Sequence, residues 1–170
     1  MLLRHGGKDK YNVDHIGYNA RIDTLQASIL LSKIKYIDEF NERRRHIAEI
    51  YTRELSGLDN LILPVDKSGY QLPDGHVCHQ YTVRTSRRNE LQEYLKDKGV
   101  STMVYYPFPL HKMKVFDGRM KVFGQLINAE RATEEVFSLP IEPLQDYEDT
   151  AYVIESIKRF GFKNRVKRAC

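Results

Sequence analysis

The sequence predicts an α+β fold, with long N-terminal helices followed by a small antiparallel sheet of about three strands covered on one face by helices. Two observations carry this expectation. The first is a helical apolar period of unusual length: Leu25, Ile29, Ile34 or Ile37, Phe40, Ile47, Tyr51 and Leu55 fall roughly on one stripe. The second is a set of three short strand-like segments, Asn60–Pro64, His79–Thr85 and Val100–Tyr105, whose connections show no regular βαβ alternation. There is no internal repeat and no low-complexity tract.

Taken in order, Met1 to Arg4 reads as the last turn of a helix whose beginning precedes the chain. His5-Gly-Gly-Lys-Asp-Lys10 is a polar, glycine-rich loop. It leads to the turn Gly17-Tyr-Asn-Ala-Arg21-Ile-Asp23, where Gly17 can take a positive φ and Asp23 is a good N-cap for the helix that follows. The turn delivers Asn19 and Arg21 to the mouth of that helix, whose unpaired N–H groups suit an anion. The alternative is an ordinary helix start in which Asn19 bonds only its own backbone. Asn41-Glu-Arg-Arg-Arg-His46 interrupts the apolar stripe, which predicts two helices, or one bent near Tyr36 to Asp38, ending at Gly57. Arg43, Arg44 and Arg45 read as a solvated helix face, with Glu39 and Glu42 spaced to pair with Arg43 and Arg45.

The remaining elements are shorter. Ser68 to Gly75 is a loop dense in breakers. In the segment His79–Thr85, Tyr81 and Val83 alternate with Gln80 and Arg84 as in a half-buried strand. A helix starts at Ser86 or Arg87, carries Leu91 and Leu95, and stops at Gly99. After Val100–Tyr105, the stretch Tyr106-Pro-Phe-Pro109 must be extended, because proline disfavours the α conformation in the residue before it. Lys114 to Gln125 has no clear period, although Asp117-Gly118 marks a turn. A helix over Asn128–Phe137 places Ala129, Ala132 and Val136 at helical spacing, Ser138-Leu-Pro-Ile141 is extended, and Asp146 or Glu148 starts a last helix with Tyr152, Ile154 and Ile157. The domain organisation expected is a segment 1–22, a long bent helix or helix pair 23–57, and a small α+β domain 58–170.

A chain of 170 residues can bury about 70% of its unfolded surface, so a real core is expected. The hydrophobic fraction of 41% and charged fraction of 29% are those of a soluble domain, and no apolar run approaches the ~20 residues of a membrane span. With no signal-peptide pattern either, a cytoplasmic protein is expected. Cys78 and Cys170 read as free thiols rather than a disulfide framework. The net charge of +4 reflects 27 basic against 23 acidic residues, too even for a polyanion partner; only the tail from Lys158 to Arg168 is a nucleic-acid candidate, and a solvated terminus is the simpler reading.

Among chemical motifs, His76, Cys78 and His79 do not make a metal site, because strand alternation would set His79 opposite the other two and no second Cys/His pair follows. Neither a nucleophile elbow nor a glycine-rich phosphate loop is present. Tyr105-Tyr-Pro-Phe-Pro-Leu-His111 is the best site candidate after the turn: two phenols and an imidazole on a locked, extended backbone could bond to and stack on a sugar or ring, and the plain alternative is an aromatic loop packed on the core.

Four segments in one order, namely Gly17 to Ala27, Asn41-Glu-Arg-Arg-Arg-His-Ile-Ala48, Tyr105 to His111 and Ser138-Leu-Pro140, resemble the DegT-type sugar aminotransferases, and the likeness runs over nearly all of residues 2–160. These are pyridoxal-phosphate enzymes of the aspartate-aminotransferase fold. The resemblance implies that the chain is the C-terminal part of such an enzyme. A large domain carrying the Schiff-base lysine, the pyridinium carboxylate and the main phosphate-binding serine would precede residue 1. It implies that Asn19 reaches the cofactor phosphate of the opposite subunit of a homodimer, and that Arg21, Tyr105, Tyr106 and His111 face substrate. The substrates implied are a keto-sugar nucleotide and glutamate or glutamine, and no catalytic residue lies in this chain. Many members carry histidine where this chain has Tyr105, so an imidazole role is not carried over there; Ile127 likewise stands where proline is common. The alternative function is a non-enzymatic association or regulatory module of the same fold.

Overall fold

The computed structural model describes residues 15–18, 20, 22–65, 72 and 75–161. The expectations for Met1–Arg4, the glycine-rich loop from His5, Asn19, Arg21, most of the Ser68–Gly75 loop and the tail beyond Gly161 lie outside them. Residues 1–39 and 40–170 form two compact units.

In the first unit, helix α1 spans Thr24–Lys33, and Asp23 caps it: its carboxylate accepts from the backbone N–H of Leu25 at 2.8 Å and of Gln26 at 3.3 Å. A 3₁₀ turn at Ile34–Tyr36 separates α1 from helix α2, Ile37–Leu55, close to the break the sequence predicts. No residue of α1 is buried, and Leu25, Ile29, Leu30 and Leu31 are all more than half exposed.

The second unit holds the core. From α2 come Ile47, Ala48, Ile50, Tyr51 and Leu55, so the apolar stripe is covered only in its C-terminal part. The unit continues through strand β1 (Tyr81–Arg84), helix α3 (Arg88–Asp97), helix α4 (Ile127–Glu135), strand β2 (Val136–Leu139) and helix α5 (Tyr147–Arg159). β1 and β2 pair antiparallel with Tyr81 opposite Leu139 and Val83 opposite Phe137. These four side chains are buried with Leu91 and Leu95 of α3 and Val153, Ile154 and Ile157 of α5. The intervening residues bond to one another, Thr82 Oγ1 lying 2.9 Å from Ser138 Oγ. Both predicted helix boundaries at Gly99 and Asp146 are met. Gly99 has φ 76°, Val100 N–H returns to Leu95 O at 2.8 Å and Gly99 N–H to Lys96 O at 2.9 Å, a Schellman stop. Asp146 accepts from Asp149 N–H at 2.8 Å.

The architecture is α+β, but among the described residues the sheet has two strands and not three. Of the three segments expected, only His79–Thr85 becomes a strand. Asn60–Pro64 and Val100–Tyr105 each contribute a single bridge, Ile62 to Arg84 and Met103 to Ser138. The limits are covalent and local. The Ile62 pairing is bounded by Asn60, which sits at φ 63°, and by Pro64, which has no N–H to donate. In the Met103–Ser138 register the next rungs would fall at Pro140, again without an N–H, and at Val136, whose N–H is already given to Ala132 O at the end of α4.

The second strand comes instead from residues read as a helix end. α4 stops at Glu135, two residues before the expected Phe137, because its closing carbonyls find other partners. Arg88 of α3 donates to Thr133 O at 3.1 Å and Val136 O at 3.3 Å, and Thr85 N–H donates to Glu135 O at 3.0 Å. Helix therefore passes into strand with no loop between them.

Glu135 is the charged knot of this junction. It is buried, with one carboxylate oxygen 2.7 Å from Arg131 Nε and the other 2.9 and 2.7 Å from Arg84 Nε and Nη2. The Arg131 guanidinium first, and Arg84 second, hold its carboxyl below the ordinary value of 4.5. A carboxyl depressed in the folded state contributes stability that is complete above the unfolded pKa and is lost as pH falls through the folded one. Glu135→Gln should therefore be less stable at pH 7 and show a shallower loss of stability between about pH 5 and pH 3. Urea titrations across that range measure both; parallel curves for the two proteins would count against the knot.

Candidate functional site

The segment that follows the Met103 bridge carries the described candidates. Proline at 107 and 109 keeps it open, and it then closes into two 3₁₀ turns at Leu110–Lys112 and Lys114–Phe116. Asp117 and Gly118 form the turn expected of them, Gly118 at φ 68°. Tyr105 and Tyr106 lie edge to face, ring centroids 5.9 Å apart, and Tyr106 is 71% exposed. The aromatic loop is thus presented to solvent, and the alternative of a loop packed into the core does not describe it: Tyr106, Phe108 and Leu110 are each more than 60% exposed.

His111 differs from the two phenols. Its side chain is only 12% exposed and its Nε2 lies 2.9 Å from Glu130 Oε1. A carboxylate only accepts, so the Nε2 proton is the one in the bond. Lys112 Nζ donates to the other oxygen, Glu130 Oε2, at 2.7 Å. These two contacts, Lys112 first, hold the Glu130 carboxyl below the usual range. Sequence reasoning missed Glu130 and Lys112. The available signal was an acidic residue in the first turn of α4, a helix whose N-cap residue, Leu126, supplies no side-chain bond.

The phenols of the core play no part in this loop. Tyr51 donates to Pro140 O at 2.8 Å and accepts from Gln145 Nε2 at 3.2 Å, while Tyr81 shares a 2.8 Å bond with Thr52. Burial pushes both hydroxyls up to about 12, so they stay protonated and act as fixed hydrogen-bonding groups. His76 and Cys78 are close, with Cys78 N–H donating to His76 Nδ1 at 3.0 Å, but residues 76–80 precede β1 and Cys78 has φ 51°. The strand alternation expected of His76, Cys78 and His79 therefore does not apply. Among the described residues no group of three or more His, Cys, Asp and Glu is placed to hold a metal. On α2, Arg45 pairs with Glu42 as its spacing suggests.

An open groove of about 550 Å³ runs between α3 and α5, lined by Tyr94, Lys98, Tyr147, Tyr152 and Arg159 among others. Glu148 and Glu155 balance its two cations, so it selects no sign of charge. No helix among the described residues is long and apolar enough to cross a membrane.

The described residues make a small α+β unit that presents the aromatic Tyr-Tyr-Pro-Phe-Pro loop to solvent and ties its end to α4 through His111. The chain belongs to the DegT/DnrJ/EryC1/StrS aminotransferase family, which it matches over residues 1–158. It is 44% identical over 162 residues to a protein of Geobacillus stearothermophilus named a pleiotropic regulatory protein, covering 94% of this chain and 42% of that one. It is 35% identical to the dTDP-3-amino-3,4,6-trideoxy-alpha-D-glucose transaminase of Streptomyces venezuelae, covering 95% of this chain and 41% of the transaminase. The crystal structure of DesV from S. venezuelae in complex with a ketimine intermediate superposes with a TM-score of 0.83 at 35% identity, over 94% of this chain and 42% of that one. The chain thus spans about two fifths of the length of the relatives it matches.

The family uses pyridoxal phosphate. Such a cofactor needs a desolvated lysine amine, a carboxylate facing the pyridine nitrogen and donors for the phosphate, all converging. Among the described residues the lysines face solvent or are half-buried, and Lys112 and Lys158 are bonded to Glu130 and Glu54. The described residues do not by themselves make that cradle.

Proposed function

We propose that this chain is the C-terminal portion of a cytoplasmic, homodimeric, pyridoxal-phosphate-dependent aminotransferase that aminates a keto-sugar nucleotide, with glutamate or glutamine as amino donor. The observation that carries the reading is the family match over residues 1–158, joined to relatives named as sugar-nucleotide transaminases of which the chain covers only about two fifths. In this reading Asn19 donates to the cofactor phosphate in the opposite subunit's site and Arg21 orders that site or meets substrate. Tyr105 and Tyr106 contribute hydroxyls and ring faces to the sugar, and their exposure is compatible with that role. His111 stands at the loop's end, with Nε2 turned to Glu130. The Schiff-base lysine belongs to a large domain before residue 1, and the chain alone is inactive.

The test is absorbance spectroscopy of the chain with added pyridoxal phosphate, followed by borohydride reduction and peptide mapping. The expected result is no imine band and only scattered, substoichiometric labelling of surface lysines. One lysine labelled stoichiometrically would show that the chain carries its own Schiff-base residue and would overturn the reading.

A second reading, a non-enzymatic association or regulatory module of the same fold, is favoured by one observation, the regulatory name of the 44%-identical relative. Codons upstream of Met1 separate the two. An in-frame large domain with a lysine motif supports the enzyme, and a genuine start at Met1 supports the module.

A further inference from the structure

Glu130 receives two consecutive residues of the aromatic loop on its two carboxylate oxygens, His111 on Oε1 and Lys112 on Oε2. The loop's other end is fixed by the Met103–Ser138 backbone pair, with bonds of 3.3 and 2.7 Å. The nine residues from Met103 to His111 are therefore held at both ends, and Tyr105 and Tyr106 lie between the two fixings. Closing a short segment at both ends removes most of the conformations its side chains could sample. The post to which the loop is tied is itself secured: Thr133 Oγ1 bonds Glu130 O at 2.7 Å, and Arg88 and the Glu135 pairs hold the far end of α4. On the other side of the fork, residues 117–129 are exposed throughout.

We propose that Glu130 is the positioning residue for the sugar-binding loop, setting Tyr105 and Tyr106 in place by gripping His111 and Lys112, and that His111 serves the site as the gripped group through Nε2. The proposal rests on the reading of the chain as part of a sugar-nucleotide aminotransferase. Its physical content is that Glu130 acts through the loop and not on the reacting atoms. Removing it should loosen residues 105–113 while leaving the core intact, and in the complete enzyme it should raise KM for the sugar nucleotide without releasing the cofactor.

Two measurements test this. Hydrogen exchange is read on this chain, comparing the unmodified protein with Glu130→Ala, Glu130→Gln and His111→Phe. Amides of residues 105–113 should exchange about tenfold faster in Glu130→Ala and His111→Phe, with β1 and α5 unchanged. Glu130→Gln should fall between, because its amide oxygen still accepts from His111 but its amide nitrogen cannot accept from Lys112. The double variant Glu130→Ala/His111→Phe should be no worse than Glu130→Ala, which already removes the His111 contact along with that of Lys112. Kinetics are read on the enzyme with its large domain, where Glu130→Ala should raise the sugar-nucleotide KM about tenfold or more at unchanged cofactor retention. Unchanged exchange at 105–113 in both single variants overturns the anchor, as does faster exchange spread evenly over β1 and α5. Faster local exchange with an unchanged KM overturns the link to substrate. If the unmodified complete enzyme fails to transaminate any sugar nucleotide, the functional reading falls, and the exchange data still decide whether Glu130 anchors the loop.

Discussion

Phe137→Ala is expected to cost about 3–5 kcal/mol, the range for deleting a buried aromatic side chain. Phe137 is fully buried, lies opposite Val83 in the sheet, and belongs to the strand that is bonded on both sides, to β1 and to the Met103 bridge. The cavity would open where helices from three parts of the chain meet, and their backbones are tied by the sheet register, by Arg88 and by the Tyr51–Pro140 bond, so little collapse can refill it. Against a typical total of about 5–15 kcal/mol this is a large fraction. Equilibrium urea unfolding should show a lower midpoint with an unchanged slope, and Phe137→Leu, which keeps most of the volume, should cost less than about 1.5 kcal/mol. A cost below about 1 kcal/mol for the alanine variant would mean that Phe137 does not sit in a packed core.

In the complete enzyme, Asn19→Asp is expected to weaken cofactor retention by about one to two powers of ten. The expectation rests on the proposed function, in which the Asn19 amide donates to a phosphate oxygen; a hydrogen bond to a charged group contributes about 1.5–3 kcal/mol. Aspartate keeps the size and replaces the donor with a negative charge facing the phosphate dianion, which makes it a sharper probe than alanine. As a turn residue alone, Asn19 would tolerate aspartate, because both side chains make the same local backbone bonds. Cofactor dissociation and melting temperature for the enzyme and for both substitutions at Asn19 distinguish the two. Equal affinity in all three would remove Asn19 from the site, and a fall in melting temperature without cofactor would make it a turn residue.

The apolar stripe shows how legible the fold was in the amino acids alone. Leu25 to Leu55 have the right period, Asp23 caps the first helix as its side chain suggests, and the break at Ile34–Tyr36 adjoins the Tyr36 to Asp38 bend that the sequence predicts. Helix α3 with its Gly99 stop, helix α5 with its Asp146 cap and the inward pair Tyr81 and Val83 follow from local chemistry in the same way, because caps, stops and alternation are written within a few neighbouring residues. The family was legible too, since four motifs in one order outweigh the ambiguity of each.

Other features depended on partners distant in the chain. Whether Val136 ends a helix or begins a strand turns on Arg88 and Thr85, about fifty residues earlier, and its spacing from Ala132 suits either state. The number of strands turned on which N–H groups were already taken: Pro140 had none to give and Val136 had given its own to α4. The partner of His111 Nε2 is a carboxylate nineteen residues further on, a pairing that no local pattern announces. Local sequence determined the caps and stops of α1, α3 and α5 and which family the chain belongs to. The tertiary structure decided register, strand count and which polar side chains remain available, because each backbone donor and each carboxylate oxygen has few bonds to make and long-range packing settles where they go.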